Sequence, residues 1–328
     1  MRFSSVKHME THKEKEKADV SVVITSYNQR EYLIEAIESV LDQTRQVKEI
    51  IVADDGSTDG SADLISDYVR RYPDVVRGVF QKRNVGIPRN RNAALKVVRN
   101  KYVFILDGDD RFLPENVEKM VYALAPEENI RCVYGNVRYI SPEGHLIGIR
   151  DEGAQPSGDI LYEIALGKFG ILRNMLMDSR LVRAAGLLDE RFPKYDGYEM
   201  TLRLAQRSRF AYVREPLVEY RVHPTSDSSS LTPDVHLRDL GEIYRQMRTI
   251  LEGLPASKRR QIDRTWYLKM SALLPQQLLD SGGTLGLFFL PVVASFKRYI
   301  SLRHLPWAFG VYWRSLLGPV FRSVVSGR

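Results

Sequence analysis

The chain has 328 residues, 44% of them hydrophobic and 27% charged, with a formal net charge of +7; this is a globular composition with a core of ordinary size. A single cysteine, Cys132, excludes an internal disulfide and points to a reducing compartment. The positive excess gathers in the tail, where no acidic residue follows Asp280, and its basic residues alternate with long aliphatics and aromatics, unlike the polar stripe of a nucleic-acid-binding surface.

Residues 1–18 interleave basic and acidic side chains without an apolar run, which predicts a disordered leader and no secretory signal. VSVVIT (20–25) reads as a buried strand. In the following segment Leu33, Ile37, Val40 and Leu41 share a helical face, with Asn28 and Glu31 spaced as a capping box. A strand at 49–54, a helix over 60–71 and an apolar run at 75–80 come next. A helix opening at Pro88, the strand YVFIL (102–106) and an amphipathic helix over 114–125 complete four strand-then-helix units. That order predicts an α/β domain with a mostly parallel central sheet and helices on both faces, whose ligands bind beyond the carboxyl ends of the strands. Beyond it, 131–149 reads as a hairpin turning at Pro142-Glu143-Gly144, 178–192 and 195–208 as helical, and 210–230 as the close of the domain. Residues 252–269 have a helical look and lead to an aromatic and basic tail at 285–325.

The carboxyl ends carry Thr25-Ser26-Tyr27-Asn28, Asp54-Asp55-Gly56-Ser57, Asn84-Val85-Gly86 and Asp107-Gly108-Asp109-Asp110. Carboxylates crowded within four residues oppose folding unless a cation joins them. Oxygen-only donors favour magnesium or manganese, with phosphate oxygens in the remaining positions. A triplet of this kind is weak evidence by itself; its place at the end of a buried strand raises its weight.

In this order SVVITSYNQREYLIEAIESVLDQT, EIIVADDGSTDGS, NVGIPRNRNAAL and YVFILDGDDRFLPENVEKM strongly resemble the family 2 glycosyltransferases, over about residues 19–225. The resemblance implies the GT-A fold for 19–228 and an inverting transfer of a sugar from a nucleotide diphosphate donor, usually a UDP-sugar, to an acceptor hydroxyl. It also implies Thr25 and Tyr27 beside the base, Asp55 accepting its imide hydrogen bond, Asp54 supporting the turn, Arg89 near base and diphosphate, and Asp107 on the ribose side. Asp109 and Asp110 would hold Mn2+ or Mg2+ on the diphosphate, and His223 in EYRVHPTS would complete that site.

One departure is specific. The family's base comes from a Glu-Asp pair opening a helix, and aligning YDGYEMTLRL puts Asp196 at the Glu position and Gly197 where the Asp belongs. Three alternatives follow: Asp196 has taken the base role, Glu199 has taken it, or the chain binds nucleotide-sugars without catalysis. Region 229–328 is expected to be helical. Its tail, with Trp307 and Trp313 among arginines and broken by Pro291, Pro306 and Pro319, fits either an anionic membrane interface or packing on the core. No apolar stretch reaches the roughly 18 residues of a spanning helix. A cytoplasmic protein, peripheral on the membrane and acting on a surface-glycan or lipid-linked acceptor, is the resulting expectation.

Overall fold

The computed structural model describes residues 16–150, 153–167, 174–224 and 233–280. The leader, apart from its last residues, and the aromatic and basic tail lie outside them.

Four parallel strands come first: β1 (Ala18–Ser26), β2 (Val47–Asp54), β3 (Val76–Phe80) and β4 (Tyr102–Asp107), in sheet order β3-β2-β1-β4. Helices α1 (Arg30–Leu41), α2 (Ser61–Arg71) and α3 (Ile87–Lys96) connect them, and α4 (Asn116–Tyr122) follows. Both faces of these strands are covered, which is why they read as unbroken apolar runs. Val22, Ile24, Ile50, Phe104 and Leu106 pack toward α1 and α2 in one core; the alternate residues Val23, Ile51, Ala53 and Val103 pack in a second. Register places Thr25 between Ala53 and Asp107, so the polar strand ends lie level.

The second half of the sheet is mixed. β8 (Asn174–Asp178) adds antiparallel to β4, followed by β6 (Ile130–Ile140), β9 (Arg209–Arg221) and the two-residue β5 (Arg111–Phe112); β7 (Leu146–Ile149) hangs on β6. β4 and β5 are nearly contiguous in the chain yet separated by three strands in the sheet, so the sheet curls until β9 and β5 return beside the end of β4. The link that closes this curl is Gly108-Asp109-Asp110.

Several local expectations change. Asn28 caps nothing: α1 begins at Arg30 behind Gln29, and Asn28 adopts a left-handed φ of 52°, which Asn tolerates. Its Oδ1 accepts from the Thr58 N–H at 2.8 Å, while Asp59 accepts from the Arg30 N–H at 2.9 Å. The capping is thus supplied across the loop. The stretch 178–192, expected to be helical, keeps only the short α6 (Ser179–Ala184), capped by Asp178 Oδ1 accepting from the Arg180 and Leu181 N–H groups, and β8 runs into it unexpected from the sequence.

The C-terminal helices α8 (Pro233–Ile250) and α9 (Ala256–Asp280) bury Ile243, Tyr244, Met247, Ile262 and Trp266 in the same core as Val103 and Phe210. They cover α5 (Leu161–Leu166) and α7 (Asp196–Ala205): the Trp266 indole N–H donates to the Ala165 carbonyl, and its ring lies 6.2 Å from that of Tyr198.

Candidate active site

The loop after β2 is held by its own carboxylates. Asp54 Oδ2 accepts from the Gly56 and Ser57 N–H groups at 3.1 and 3.0 Å. Gly56 has φ +73°, and a Cβ there would lie 2.6 Å from the Arg83 backbone, so only glycine fits. Asp55 is buried; its oxygens accept from Val85 N–H at 2.8 Å and Gly86 N–H at 3.0 Å. Burial raises its carboxyl above the ordinary value, and those two amides oppose the rise. Tyr27 stands at the lip, 46% exposed. Thr25 Oγ1 lies 3.5 Å from Asp107 Oδ1.

The carboxylates after β4 converge. One ligand oxygen from each of Asp107, Asp109 and Asp110 lies within 4.8 Å of the others. Gly108 permits this: a Cβ would meet the Thr25 carbonyl at 2.9 Å. Asp109 Oδ2 lies 3.0 Å from Gln29 Nε2 and 2.9 Å from His223 Nε2. Burial and then the neighbouring Asp107 raise the Asp109 carboxyl, against the pull of His223. Asp110 Oδ1 accepts from the Arg221 N–H at 2.9 Å. Three clustered oxygen donors, a bordering imidazole and a carboxyl disfavoured as an anion suit a hard or borderline divalent cation.

On the other side Asp196 is 5% exposed and opens α7. Arg91 joins the two halves, with Nη1 2.8 Å from Asp196 Oδ2 and Nη2 on Asp107 Oδ1. Burial works against this guanidinium's charge, and the two carboxylates more than offset it, so it stays ionised. Glu199 goes elsewhere: it is buried against Arg203, whose Nε donates to Oε1 at 2.7 Å and whose Nη2 also reaches the Leu187 carbonyl at 2.7 Å. Arg89 also points away, to the exposed Glu190 at 2.9 Å. Of the arginines in PRNRN it is Arg91 that enters the carboxylate centre.

Three residues that the motifs do not single out, Arg91, Arg221 and Gln29, enter the site. Arg91 had a signal, since it lies one turn before the buried Leu95 on α3, whereas Arg89 faces the other way. Arg221 is the last residue of β9, two residues before His223, and the two side chains meet at Asp109.

Residues 21–180 match the family described as Glycosyl transferase family 2. The chain belongs to the family 2 glycosyltransferases. It is 36% identical over 128 residues to a chondroitin synthase of Escherichia coli, covering 39% of this chain and 18% of that protein. To the glycosyltransferase GlyG of Streptococcus pneumoniae it is 35% identical over 117 residues, 36% of this chain and 38% of GlyG. The chain therefore spans well under half the length of both. An uncharacterized glycosyltransferase of Methanocaldococcus jannaschii, MJ1057, is 28% identical over 218 residues, 66% of this chain and 74% of that one. Among solved structures, S. aureus TarS 1–349 in complex with UDP-GlcNAc superposes with a TM-score of 0.60 at 17% identity, over 90% of this chain and 80% of TarS. The mannosyltransferase PcManGT from Pyrobaculum calidifontis, in complex with GDP-Man and Mn2+, gives 0.57 at 14% identity, over 95% and 88%. At these identities the likeness is one of fold, and the fold of this family 2 chain is GT-A. Among the described residues no helix is long and apolar enough to cross a membrane.

Proposed function

We propose that this family 2 chain is an inverting glycosyltransferase that moves a sugar from a nucleoside diphosphate donor to an acceptor hydroxyl, with Asp196 as the base. One observation carries the reading: Arg91 ties Asp196 to Asp107, so a buried carboxylate stands across from the Asp107, Asp109 and Asp110 cluster.

Asp109 and Asp110, with His223, would hold Mn2+ or Mg2+. When bound, the cation supplies charge that stabilises the leaving diphosphate. The loops held by Asp54 and Asp55 would seat the base, with Tyr27 over it and Thr25 at the floor. Asp196 takes the proton of the acceptor hydroxyl as that oxygen bonds to the anomeric carbon. The bond from that carbon to the diphosphate breaks on the opposite face, its electron pair leaving with the nucleoside diphosphate, and configuration inverts. Glu199 is assigned no part in proton transfer, because it is buried on Arg203 and stands outside the Arg91 bridge that joins Asp196 to Asp107.

A UDP-sugar donor is the favoured choice, supported by the fold it shares with UDP-GlcNAc-bound TarS. A surface-glycan or lipid-linked acceptor, a cytoplasmic location and anchorage of the tail on an anionic membrane are further parts of the proposal. The first is supported by relatives such as the chondroitin synthase, the last by the unbalanced arginines beyond Asp280.

A second reading, a nucleotide-sugar-binding protein without turnover, draws on Gly197 standing where the family carries its base. A panel of UDP-, GDP- and dTDP-sugars with and without Mn2+, followed by thermal shift and nucleoside diphosphate release, tests the proposal. Stabilisation and release with UDP-sugars and Mn2+ are expected. Stabilisation without any release favours the binding protein, and selectivity for GDP- or dTDP-sugars replaces the donor.

A further inference from the structure

Arg221 takes no part in the reaction above, yet it is among the largest fully buried side chains, 1% exposed. A buried guanidinium carries a heavy desolvation cost that only well-made contacts recover. Its contacts join three separate segments to one point. Nε donates to the Asp109 carbonyl at 2.9 Å. Nη1 donates to the Pro142 carbonyl at 2.6 Å and reaches that of Ser141 at 3.4 Å, in the turn between β6 and β7. Nη2 meets Glu35 Oε2 of α1 at 2.8 Å, and the group lies 4.5 Å from the centroid of the Tyr32 ring.

His223, two residues past the end of β9, reaches the Asp109 carboxylate and packs 5.3 Å from that same Tyr32 ring. Arg221 and His223 thus hold Asp109 at both ends, carbonyl by Arg221 and carboxylate by His223. The carboxylate that the Arg221 guanidinium meets, Glu35, is 41% exposed and shared with Arg111. The remaining acceptors are main-chain carbonyls, so what the guanidinium secures is the course of the chain at 109 and 141–142.

We infer that Arg221 is a positioning residue, acting through Asp109: it sets the direction of the Asp109 carboxylate toward the divalent cation and locks the β6–β7 turn to that loop. The inference rests on the proposal that the cluster of Asp107, Asp109 and Asp110 binds a divalent cation. A planar fork is needed to serve Asp109 and Pro142 at once, which a lysine ammonium does not provide. Groups that orient metal ligands commonly account for about 10- to 100-fold in metal affinity.

The test is Mn2+ titration of the full chain, following free Mn2+ by electron paramagnetic resonance, for wild type, Arg221→Lys and Arg221→Met, with metal-free UDP binding measured alongside. The main-chain N–H to Asp110 survives both substitutions, so what the variants remove is the guanidinium's hold on Asp109, the β6–β7 turn and Glu35. Both are expected to bind Mn2+ about tenfold or more weakly, with metal-free UDP affinity retained and no rescue by lysine. Folded variants that bind Mn2+ as wild type does overturn the inference, as does full rescue by lysine. If neither variant folds, Glu35→Gln, which loosens the same guanidinium without removing it, decides: weaker Mn2+ binding supports the role and unchanged affinity overturns it. Failure of the wild type itself to bind Mn2+ would refute the cation site rather than the bracing of Asp109.

Discussion

Asp107, at the end of β4, and Asp196, at the start of α7, are held by one guanidinium, that of Arg91. The sheet contributes the first carboxylate and a helix packed under the C-terminal pair contributes the second. This bridge fixes the distance between the end of β4 and the start of α7.

Removing the bridge leaves two crowded carboxylates without their shared counter-charge. Arg91→Met is expected to destabilise the fold by about 3–5 kcal/mol, the range for breaking a buried ion pair from one side. Urea denaturation at neutral pH measures it, and a loss within about 0.5 kcal/mol of wild type would mean the bridge is not formed in solution.

The cation site makes a separate prediction. Asp109→Asn and His223→Ala each remove a group at one carboxylate cluster, and both should raise the Mn2+ concentration needed for half-maximal nucleotide release by about 10- to 100-fold. Metal titrations of activity show this directly. An unchanged requirement in both variants would remove the cluster from the metal.

Trp266 tests whether the C-terminal helices belong to the body of the domain. It is fully buried, between Tyr198 of α7 and Tyr244 of α8, and its indole donates to α5. Trp266→Ala should cost about 3–5 kcal/mol, read from denaturation of the full chain. A cost below about 1 kcal/mol would indicate that α9 docks only loosely.

Cys132 gives a pH signature. Burial pushes its thiol up to about 12 from 9.0. The native state therefore holds the proton to higher pH than the unfolded chain does, so this contribution to stability is complete below about 9 and fades as pH rises toward 12. Native protein at pH 8 should resist thiol-modifying reagents and react once unfolded. Rapid stoichiometric labelling of the folded chain would contradict the burial.

The parallel half of the sheet was legible because its strands, buried on both faces, leave continuous apolar runs that end in polar clusters. β8 was hidden for a different reason: NMLMD carries no β-branched residue, and its terminal Asp178 caps the next helix, so the stretch resembles a helix start. The curl that brings the end of β9 to Asp109 depends on pairing between distant strands, which no local pattern encodes. Hence Asp109, Asp110 and His223 could be named from motifs, while Arg221 could not be linked to them. The motif singles out Arg89 and leaves Arg91 unremarked; the helical phase shared with Leu95 turns Arg91, not Arg89, toward Asp107 and Asp196. The motif alignment does not show that Glu199 is buried against its i,i+4 partner Arg203, a pairing that only the packed helix reveals.

The most direct test of the whole account is Asp196→Asn, assayed for Mn2+-dependent nucleoside diphosphate release from the donor selected by thermal shift, with UDP binding measured on the same sample. The amide keeps the side chain's shape and cannot take the acceptor's proton, so turnover should fall by about 10²- to 10⁴-fold while UDP affinity stays within about threefold. Wild-type turnover in the folded variant would show that the proton goes elsewhere.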